Sequence, residues 1–446
     1  MNTPGQVPSS LPDPSGPALT SQEQSATVST VIWRLIPLLF VCYIIAYVDR
    51  INVGFAKLHL RDVLGVSEAK FNAAYGLGAG MFFIGYFLFE VPSNLVLQRV
   101  GARLWIARIM ILWGLVSMGF MFLKGTVMFY TMRFLLGAAE AGFFPGVILY
   151  LTYWFPARER ARVVAMFATG GVLAGVIGSP ISGALLDLDG MGGLAGWQWL
   201  FLLEGLPAVL LGIVVLVVLP NRPHEATWLS AGQKRWIQER LDAEPTSHDQ
   251  SHHLSEVFSS GRVWLLCLVY FCLNVGGYGY ELWLPTIIKS FSTTSNTVLG
   301  VINAIPYFAA GIAMILVARF SDQTGERRLV VAAAAGSSAI GFGLSAYFQD
   351  PYFAMAALTL AFVGLKCTIA PFWAMTTVFL RGTAAAAGIA FINSVGNLGG
   401  FAGPYLVGIV KEQTGSNVVA LLLLGGALLA MASFALCLPR PQRAVA

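Results

Sequence analysis

Four ionisable residues stand out because they lie inside long apolar segments. Asp49 and Arg50 are adjacent, whereas Arg133 and Glu140 are seven residues apart. Seven residues make two turns of an α-helix, so Arg133 and Glu140 share a helix face about 10 Å apart. Arginine keeps its charge and presents a planar fork that matches a carboxylate. These residue types have the chemistry to bind an organic anion and to exchange a proton.

Proton exchange is expected from the two carboxyl groups. Removal from water favours the protonated form of a carboxyl group, and a neighbouring arginine favours the ionised form. If a substrate carboxylate competes with Asp49 or Glu140 for the arginines, anion binding and proton binding become coupled. Counting from the ends of the segments places Asp49, Arg50 and Arg133 at similar depth in the outer half of the membrane and Glu140 nearer the middle, so we expect all four in one half of the cavity. Ion pairs that only pack helices together are the alternative.

Further ionisable residues lie at membrane depth, where a charge is costly and usually faces a cavity or a partner. Glu90 comes shortly before Pro92 near the end of its segment, which favours a structural role. Lys366 has two interpretations that the sequence leaves open. It supplies a third cation for a second substrate carboxylate, or it pairs with Glu281.

The segments that hold these residues are apolar enough to cross a membrane. The chain has 446 residues, of which 57% are hydrophobic and 11% charged, with a mean hydropathy of +0.72. Soluble domains carry roughly 25% charged residues, so a soluble protein is excluded. One span needs about 20 apolar residues, so a chain of this length and composition is predicted to hold about a dozen transmembrane spans. We place them near 33–56, 71–98, 103–124, 126–155, 161–187, 197–219, 262–290, 297–321, 327–348, 351–380, 384–410 and 416–438.

Two landmarks indicate that the chain is a duplicated six-helix unit. The loop that starts at Gln98 corresponds to the loop that starts at Asp322, at an offset of 322 − 98 = 224 residues. The prolines Pro180 and Pro404 lie at the same offset. A fixed offset between unrelated landmarks is the signature of an internal repeat. The predicted fold class is therefore an all-α integral membrane protein with 12 transmembrane helices in two six-helix bundles.

The domain organisation follows from this repeat. We predict a disordered tail at 1–32, a bundle at 33–219, a linker with an amphipathic helix capped by Ser230 at 220–261, a second bundle at 262–438 and a tail at 439–446. Successive loops lie on opposite sides of the membrane, and the loops of one side hold more lysine and arginine than those of the other. The positive-inside rule places the loops richer in basic residues, the linker and both termini in the cytoplasm. The richer set holds Arg99, Arg103, Arg158, Arg160, Arg162, Lys234, Arg235, Arg240, Arg319, Arg327, Arg328 and Arg381. The opposite set holds Lys57, Arg61, Lys70, Lys124, Lys289 and Lys411.

From residue 33 to residue 439 the chain resembles the major facilitator superfamily and, within it, the anion:cation symporter family. The superfamily's loop motif, Gly-x-x-x-Asp-Arg-x-Gly-x-Arg, occurs twice in degraded form. The first copy keeps Arg99, Gly101 and Arg103, and the second keeps Asp322, Gly325 and Arg327. The resemblance implies that these six residues belong to two gating loops. The combination of Tyr47-Val48-Asp49-Arg50, Arg133…Glu140 and Trp154-Phe155-Pro156…Glu159-Arg160 is more specific to the symporter family.

The resemblance also implies roles for individual residues. In the family's sugar-acid symporters, the positions matching Asp49 and Glu140 bind protons, and the position matching Arg50 contacts the substrate carboxylate, with the one matching Arg133 nearby. Positions matching Tyr47, Tyr86, Trp373 and Asn393 line the site. One departure is informative, because those symporters have a glutamine where this chain has Gly171. The absence of this glutamine amide argues against a polyhydroxylated, galactonate-like substrate.

Together, these features predict a secondary active transporter that takes up an organic carboxylate with a proton across the bacterial inner membrane. Other segments resemble the branch for tartrate, phthalate and hydroxyphenylacetate, so a dicarboxylate such as tartrate or an aromatic acid is expected. We expect a monomer in lipid with no metal, no cofactor besides the coupling proton and no nucleic-acid partner. A proton-coupled exporter of drugs or other organic ions and a carrier without proton coupling are the alternatives. An enzyme is disfavoured because the buried acids lack a partnered nucleophile.

Overall fold

A computed structural model describes residues 19–243, 259–291, 294–379 and 384–439. Eleven helices in these ranges are long and apolar enough to cross a membrane. In the first half they are α1 (Ser21–His59), α2 (Glu68–Val100), α3 (Ala102–Phe122), α4 (Gly125–Thr152), α5 (Arg162–Leu186) and α6 (Gly196–Val218). In the second half they are α7 (Gly261–Phe291), α8 (Asn296–Thr324), α9 (Arg328–Tyr347), α10 (Pro351–Thr377) and α12 (Asn417–Cys437).

The predicted eleventh span is the helix α11 (Ala384–Thr414). It has the length of a span and carries the polar residues Asn393, Ser394 and Asn397 among several glycines. Polar and small residues in a membrane helix are typical of a surface that packs against other helices. This helix packs against both α7 and α2, which accounts for its composition.

The first helix is longer than the sequence predicted. The tail was expected to be disordered through residue 32, but α1 begins at Ser21, so that expectation is wrong for residues 21–32. Thr20 and Glu23 form a capping box at this helix start. The linker helix (Ala231–Asp242) is capped by Ser230 as predicted, and its Gln233 donates a hydrogen bond of 3.1 Å to Thr27. This contact gives the polar first turns of α1 a packing partner outside the span.

Helix packing repeats from one half of the chain to the other. In the first half α3 packs on α6, α2 on α4, and α1 on α5. In the second half the equivalent pairs α9–α12, α8–α10 and α7–α11 pack in the same way. The halves meet through α2 on α11 and α5 on α8, which are themselves an equivalent pair. Two six-helix bundles related by a pseudo-twofold axis are the arrangement that the 224-residue offset predicted.

The bundles are closed on the face opposite the chain termini. A Cβ atom at Gly183 of α5 would lie 2.2 Å from the carbonyl oxygen of Asn296 at the start of α8. A Cβ at Gly76 of α2 would lie 2.5 Å from the carbonyl oxygen of Pro404 in α11. Asp187 accepts hydrogen bonds from the backbone N–H groups of Asn296 and Thr297, at 3.2 and 2.9 Å. Only glycine permits such close backbone contact between the halves.

Candidate substrate site

The first element of the site is an ion pair between Arg50 of α1 and Glu140 of α4. The Glu140 side chain is 1% exposed and the Arg50 side chain 13%. Arg50 also donates a hydrogen bond of 3.0 Å to the hydroxyl of Tyr278 in α7, which belongs to the other bundle. Its guanidinium carbon lies 5.5 Å from the ring centroid of Tyr86, within cation–π distance. Arg50 therefore contacts both bundles while Glu140 neutralises its charge.

The second element is an ion pair between Lys366 of α10 and Glu281 of α7. The Lys366 Nζ atom lies 2.7 Å from Glu281 Oε1. The hydroxyl of Tyr47 in α1 donates to Glu281 at 2.9 Å and accepts from Lys366 at 3.1 Å. Of the two interpretations of Lys366, the structure contains the pairing with Glu281. The other interpretation, in which Lys366 supplies a third cation for a second substrate carboxylate, stays a prediction.

Tyr47 joins the two ion pairs. Tyr47 and Arg50 are three residues apart and share a face of α1. The Tyr47 ring centroid lies 5.8 Å from the Arg50 guanidinium carbon and 5.5 Å from Lys366 Nζ. We call the set Tyr47, Arg50, Glu140, Glu281 and Lys366 the central site. It holds two cations whose side chains are 13% and 9% exposed, each neutralised by one carboxylate, at the junction of the two bundles.

Asp49 lies apart from the central site. It accepts hydrogen bonds from Trp113 Nε1 at 2.9 Å, Ser117 Oγ at 2.8 Å and Asn52 Nδ2 at 3.3 Å. All four residues belong to the first bundle, and the Asp49 side chain is buried against α3. Asp49 therefore makes these hydrogen bonds within its own bundle and not to a residue of the central site, and its predicted role in proton binding stays a prediction. Adjacent residues point about 100° apart around a helix, so equal depth does not place Asp49 and Arg50 on one face.

Arg133 forms no ion pair with a carboxylate among the described residues. Its side chain is fully buried and donates to the carbonyl oxygen of Ala79 in α2 at 3.1 Å. Its Nε and Nη1 atoms have no hydrogen-bond partner among the described residues. The ring centroid of Phe82 lies 5.0 Å from the Arg133 guanidinium carbon and 5.4 Å from that of Arg50. Phe82 thus contacts both arginines, although it was not predicted from the sequence as a site residue. Its position one helical turn before the predicted lining residue Tyr86 could have indicated that it faces the site.

The remaining predicted lining residues divide between the site and its surroundings. Trp373 packs edge-on against Tyr270, with ring centroids 5.0 Å apart. Asn393 of α11 donates a hydrogen bond of 2.8 Å to Glu90 of α2. Glu90, for which the sequence favours a structural role, therefore links the two bundles on the side nearer the termini.

Gly171, the departure from the sugar-acid pattern, faces the central site. A Cβ atom there would lie 3.3 Å from the ring of Tyr47 and 3.5 Å from the hydroxyl of Tyr43. Two tyrosines therefore occupy the space next to this position. A longer amide side chain would have to displace them.

The predicted gating loops differ between the halves. In the second loop Arg327 and Asp322 form an ion pair at 2.5 Å, and Gly325 ends α8 with a φ of +67°. In the first loop Gly101 has a φ of +91°, and the backbone N–H of Arg103 donates to Asn221 at 2.9 Å. The uncharged Gln98 stands where the motif has its aspartate, and Arg99 is exposed. Arg381 lies outside the described residues.

These helices and buried charges define a multi-pass membrane transporter. A family model described as Major Facilitator Superfamily matches residues 39–404, and the chain belongs to this superfamily. A protein of Agrobacterium vitis that is named as a tartrate transporter is 48% identical over 95% of this chain and 93% of its own length. A protein of Acinetobacter baumannii named as a quinolone resistance transporter is 43% identical over 88% of this chain and 90% of its own. The crystal structure of a D-xylose-proton symporter matches with a TM-score of 0.76 over 92% of this chain and 99% of its own, at 15% identity, which supports the fold alone.

Proposed function

We propose that this protein is a proton-coupled symporter that takes up an organic dicarboxylate such as tartrate by alternating access. The observation that carries the proposal is the pair of buried cation–carboxylate contacts on either side of Tyr47. One cation, Arg50, comes from the first bundle, and the other, Lys366, comes from the second. A substrate with two carboxylates has one partner for each cation and can bridge the bundles.

Charge balance explains why protons would accompany the substrate. Two cations with two carboxylates are neutral, and a dianion added to them leaves two uncompensated negative charges out of water. Isolated charges in such an environment cost many kcal/mol and are normally avoided by protonation. Protonation of Glu140 frees Arg50, and protonation of Glu281 frees Lys366. The freed cations then bind the substrate, and the loaded site is neutral again.

Roles for the other predicted residues follow from their contacts. We assign proton binding to Glu140 and Glu281, and we assign Asp49 to holding α1 against α3, because three donors already satisfy it. Arg133 adds positive potential behind Phe82 rather than a direct contact. Tyr86 packs beside Arg50, and Trp373 and Asn393 support the walls of the second bundle. The tyrosines next to Gly171 leave less room for a long polyhydroxylated chain than for a short dicarboxylate.

The orientation is part of the proposal. The distribution of basic residues among the loops supports an orientation with the linker and both termini on the cytoplasmic side of a bacterial inner membrane. The bundles are closed on the face opposite the termini, so the structure corresponds to a state closed to the outside. Uptake then begins when the contacts of α2 with α11 and of α5 with α8 open on that face.

Export of an aromatic ion is a second candidate. It is favoured by the relative named for quinolone resistance and by the rings of Tyr47, Phe82 and Tyr86 around Arg50. The two candidates differ in the direction of net movement. An acidic outside drives carboxylate accumulation by the symporter, whereas it drives drug expulsion by an exporter.

The test is uptake into proteoliposomes with an imposed inward proton gradient, screened over tartrate, phthalate, hydroxyphenylacetate and aldonates. We expect accumulation of a dicarboxylate that a protonophore abolishes. Arg50→Ala should reduce the rate at least about 100-fold, because losing a buried charged hydrogen-bond partner costs about 3 kcal/mol or more. Lys124→Ala, which removes an exposed cation, is the matched control. Transport of an organic cation in place of carboxylates, or full activity of Arg50→Ala, would contradict the proposal.

A further inference from the structure

Two lysines lie near the closed face without a carboxylate partner among the described residues. The sequence places Lys57 in a loop, but it is 3% exposed at the end of α1. Its Nζ atom donates to the amide oxygen of Asn72 at 3.2 Å and lies 3.6 Å from the ring centroid of Trp283 in α7. Lys411 of α11 places its Nζ atom 5.1 Å from the same centroid. Two like charges therefore share one aromatic ring.

The contacts of these lysines sort by bundle. Apart from Trp283, Lys57 contacts Asn72 and the rings of Phe71 and Tyr75, all in α2 of its own bundle. Trp283 is held in the second bundle, because its Nε1 atom donates to the carbonyl oxygen of Pro404 at 3.3 Å. Opening this face therefore separates Lys57 from Trp283 and leaves one ammonium group on each side of the gap.

We propose that Lys57 and Lys411 form an outer anion-binding site that the substrate occupies before it reaches the central site. In the closed state the ring of Trp283 stands in for the anion, since the face of an indole ring attracts cations. In the open state a carboxylate of the substrate replaces the ring between the two lysines. The inference rests on the proposed function, because it supposes that the substrate is an organic anion arriving from this face.

The arrangement does two things for transport. A cleft lined by one sign of charge raises the local concentration of the opposite ion and the rate of association. The two lysines also repel each other when the gate closes without an anion, so an anion that enters the gap removes the repulsion. Arrival of the substrate and closure of the outer face are thus linked through the same pair of charges.

The test compares Lys57→Met, Lys411→Gln and the double variant with Lys70→Gln, which removes an exposed lysine of the same face. Lys57→Met keeps the aliphatic stem under Trp283, and the partly exposed Lys411 gives a variant less prone to misfolding. The measurement is the KM and maximal rate of carboxylate uptake from this face at low and high salt. We expect the double variant to raise KM about fivefold or more, with a maximal rate within about twofold of wild type. Its KM should also lose most of its salt dependence, while Lys70→Gln changes neither quantity.

The opposite sign would overturn the inference. If Lys57 only locked the gate through Trp283, its loss would favour the open state and lower KM. An unchanged KM with unchanged salt dependence would show that the lysines merely pack. Both results leave carboxylate uptake by the wild type intact, whereas a wild type that accumulates no carboxylate contradicts the proposed function itself.

Discussion

Removing one charge of the Lys366–Glu281 pair should destabilise the protein far more than removing both. The two side chains are 9% and 1% exposed and their charged atoms lie 2.7 Å apart. Loss of one partner from such a pair costs about 3–5 kcal/mol, mainly because the remaining charge is buried without compensation. Glu281→Gln and Lys366→Met should therefore each lose about 3 kcal/mol. The double variant should lose only about 1 kcal/mol, so the coupling energy, which is the two single losses minus this loss, is about 5 kcal/mol.

Thermal unfolding in detergent measures this difference. For a bundle of this size each kcal/mol shifts Tm by about 2–4 °C, so the single variants should unfold about 6–12 °C below wild type. Lys289→Met, which removes an exposed lysine from the same helix as Glu281, is the control and should leave Tm unchanged. A double variant whose loss equals the sum of the two single losses would refute the reasoning, since it would show that the pair is not coupled.

Ligand-dependent stability extends the same experiment to function. Glu281→Gln leaves Lys366 buried without a carboxylate, and a carboxylate of the substrate is the natural replacement. Added dicarboxylate should therefore raise the Tm of Glu281→Gln more than that of wild type, because a ligand that binds only the folded state stabilises it in proportion to its occupancy. The double variant should show no such rise. An equal response of all three proteins would remove Lys366 from the substrate site.

Three further substitutions test the closed face and the gating loop. Asp187→Asn should weaken closure of the outer face and raise the labelling of cysteines placed between α5 and α8. In the wild type, burial acts to raise the pKa of Asp187, but the hydrogen bonds from Thr297 and Asn296 hold that pKa below its ordinary value. The hydrogen bonds to the Asp187 carboxylate are therefore lost only as the pH falls through this lowered pKa. Cysteine labelling of the wild type should stay constant between about pH 5 and pH 8. Gly183→Leu should block closure and reduce transport at least about tenfold while substrate binding persists, because its Cβ alone meets Asn296 at 2.2 Å. Asp322→Asn should slow transport by removing the ion pair with Arg327, with little loss of Tm because exposed pairs contribute about 0–1 kcal/mol.

The sequence predicted the spans well because hydropathy depends only on local composition. The repeat was equally accessible, since it needs only two landmarks at one offset. The sequence could not predict which charged side chains would contact each other. Asp49 and Arg50 are neighbours in the chain and equal in depth, yet one faces α3 and the other faces the second bundle. That outcome depends on how α1 is rotated, which only the packing of all its neighbours decides.

Lys57 shows the same limit from the other direction. Its position at the end of a span made it look like a loop residue, but the chain continues in helical turns through His59 and buries the ammonium group among aromatic rings. The pairing of Lys366 with Glu281 was one of two interpretations and required the tertiary structure to decide. In each case the residue type and the depth could be predicted from the sequence, whereas the direction of the side chain depends on the fold.

The contacts of Tyr47 suggest why the carrier would move only when empty or fully loaded. Tyr47 belongs to the first bundle, and its hydroxyl binds Glu281 and Lys366 of the second. In the empty state the two ion pairs are neutral and the contacts between bundles are hydrogen bonds, which can break during rocking without exposing a net charge. A substrate bound without protons would leave net negative charge in a closed site, which is costly in a low dielectric. In the proposed symport, full loading with two protons and a dianion restores neutrality, so the two neutral states are the ones that can close. The proposed obligatory coupling would then follow from charge balance at the junction of the bundles.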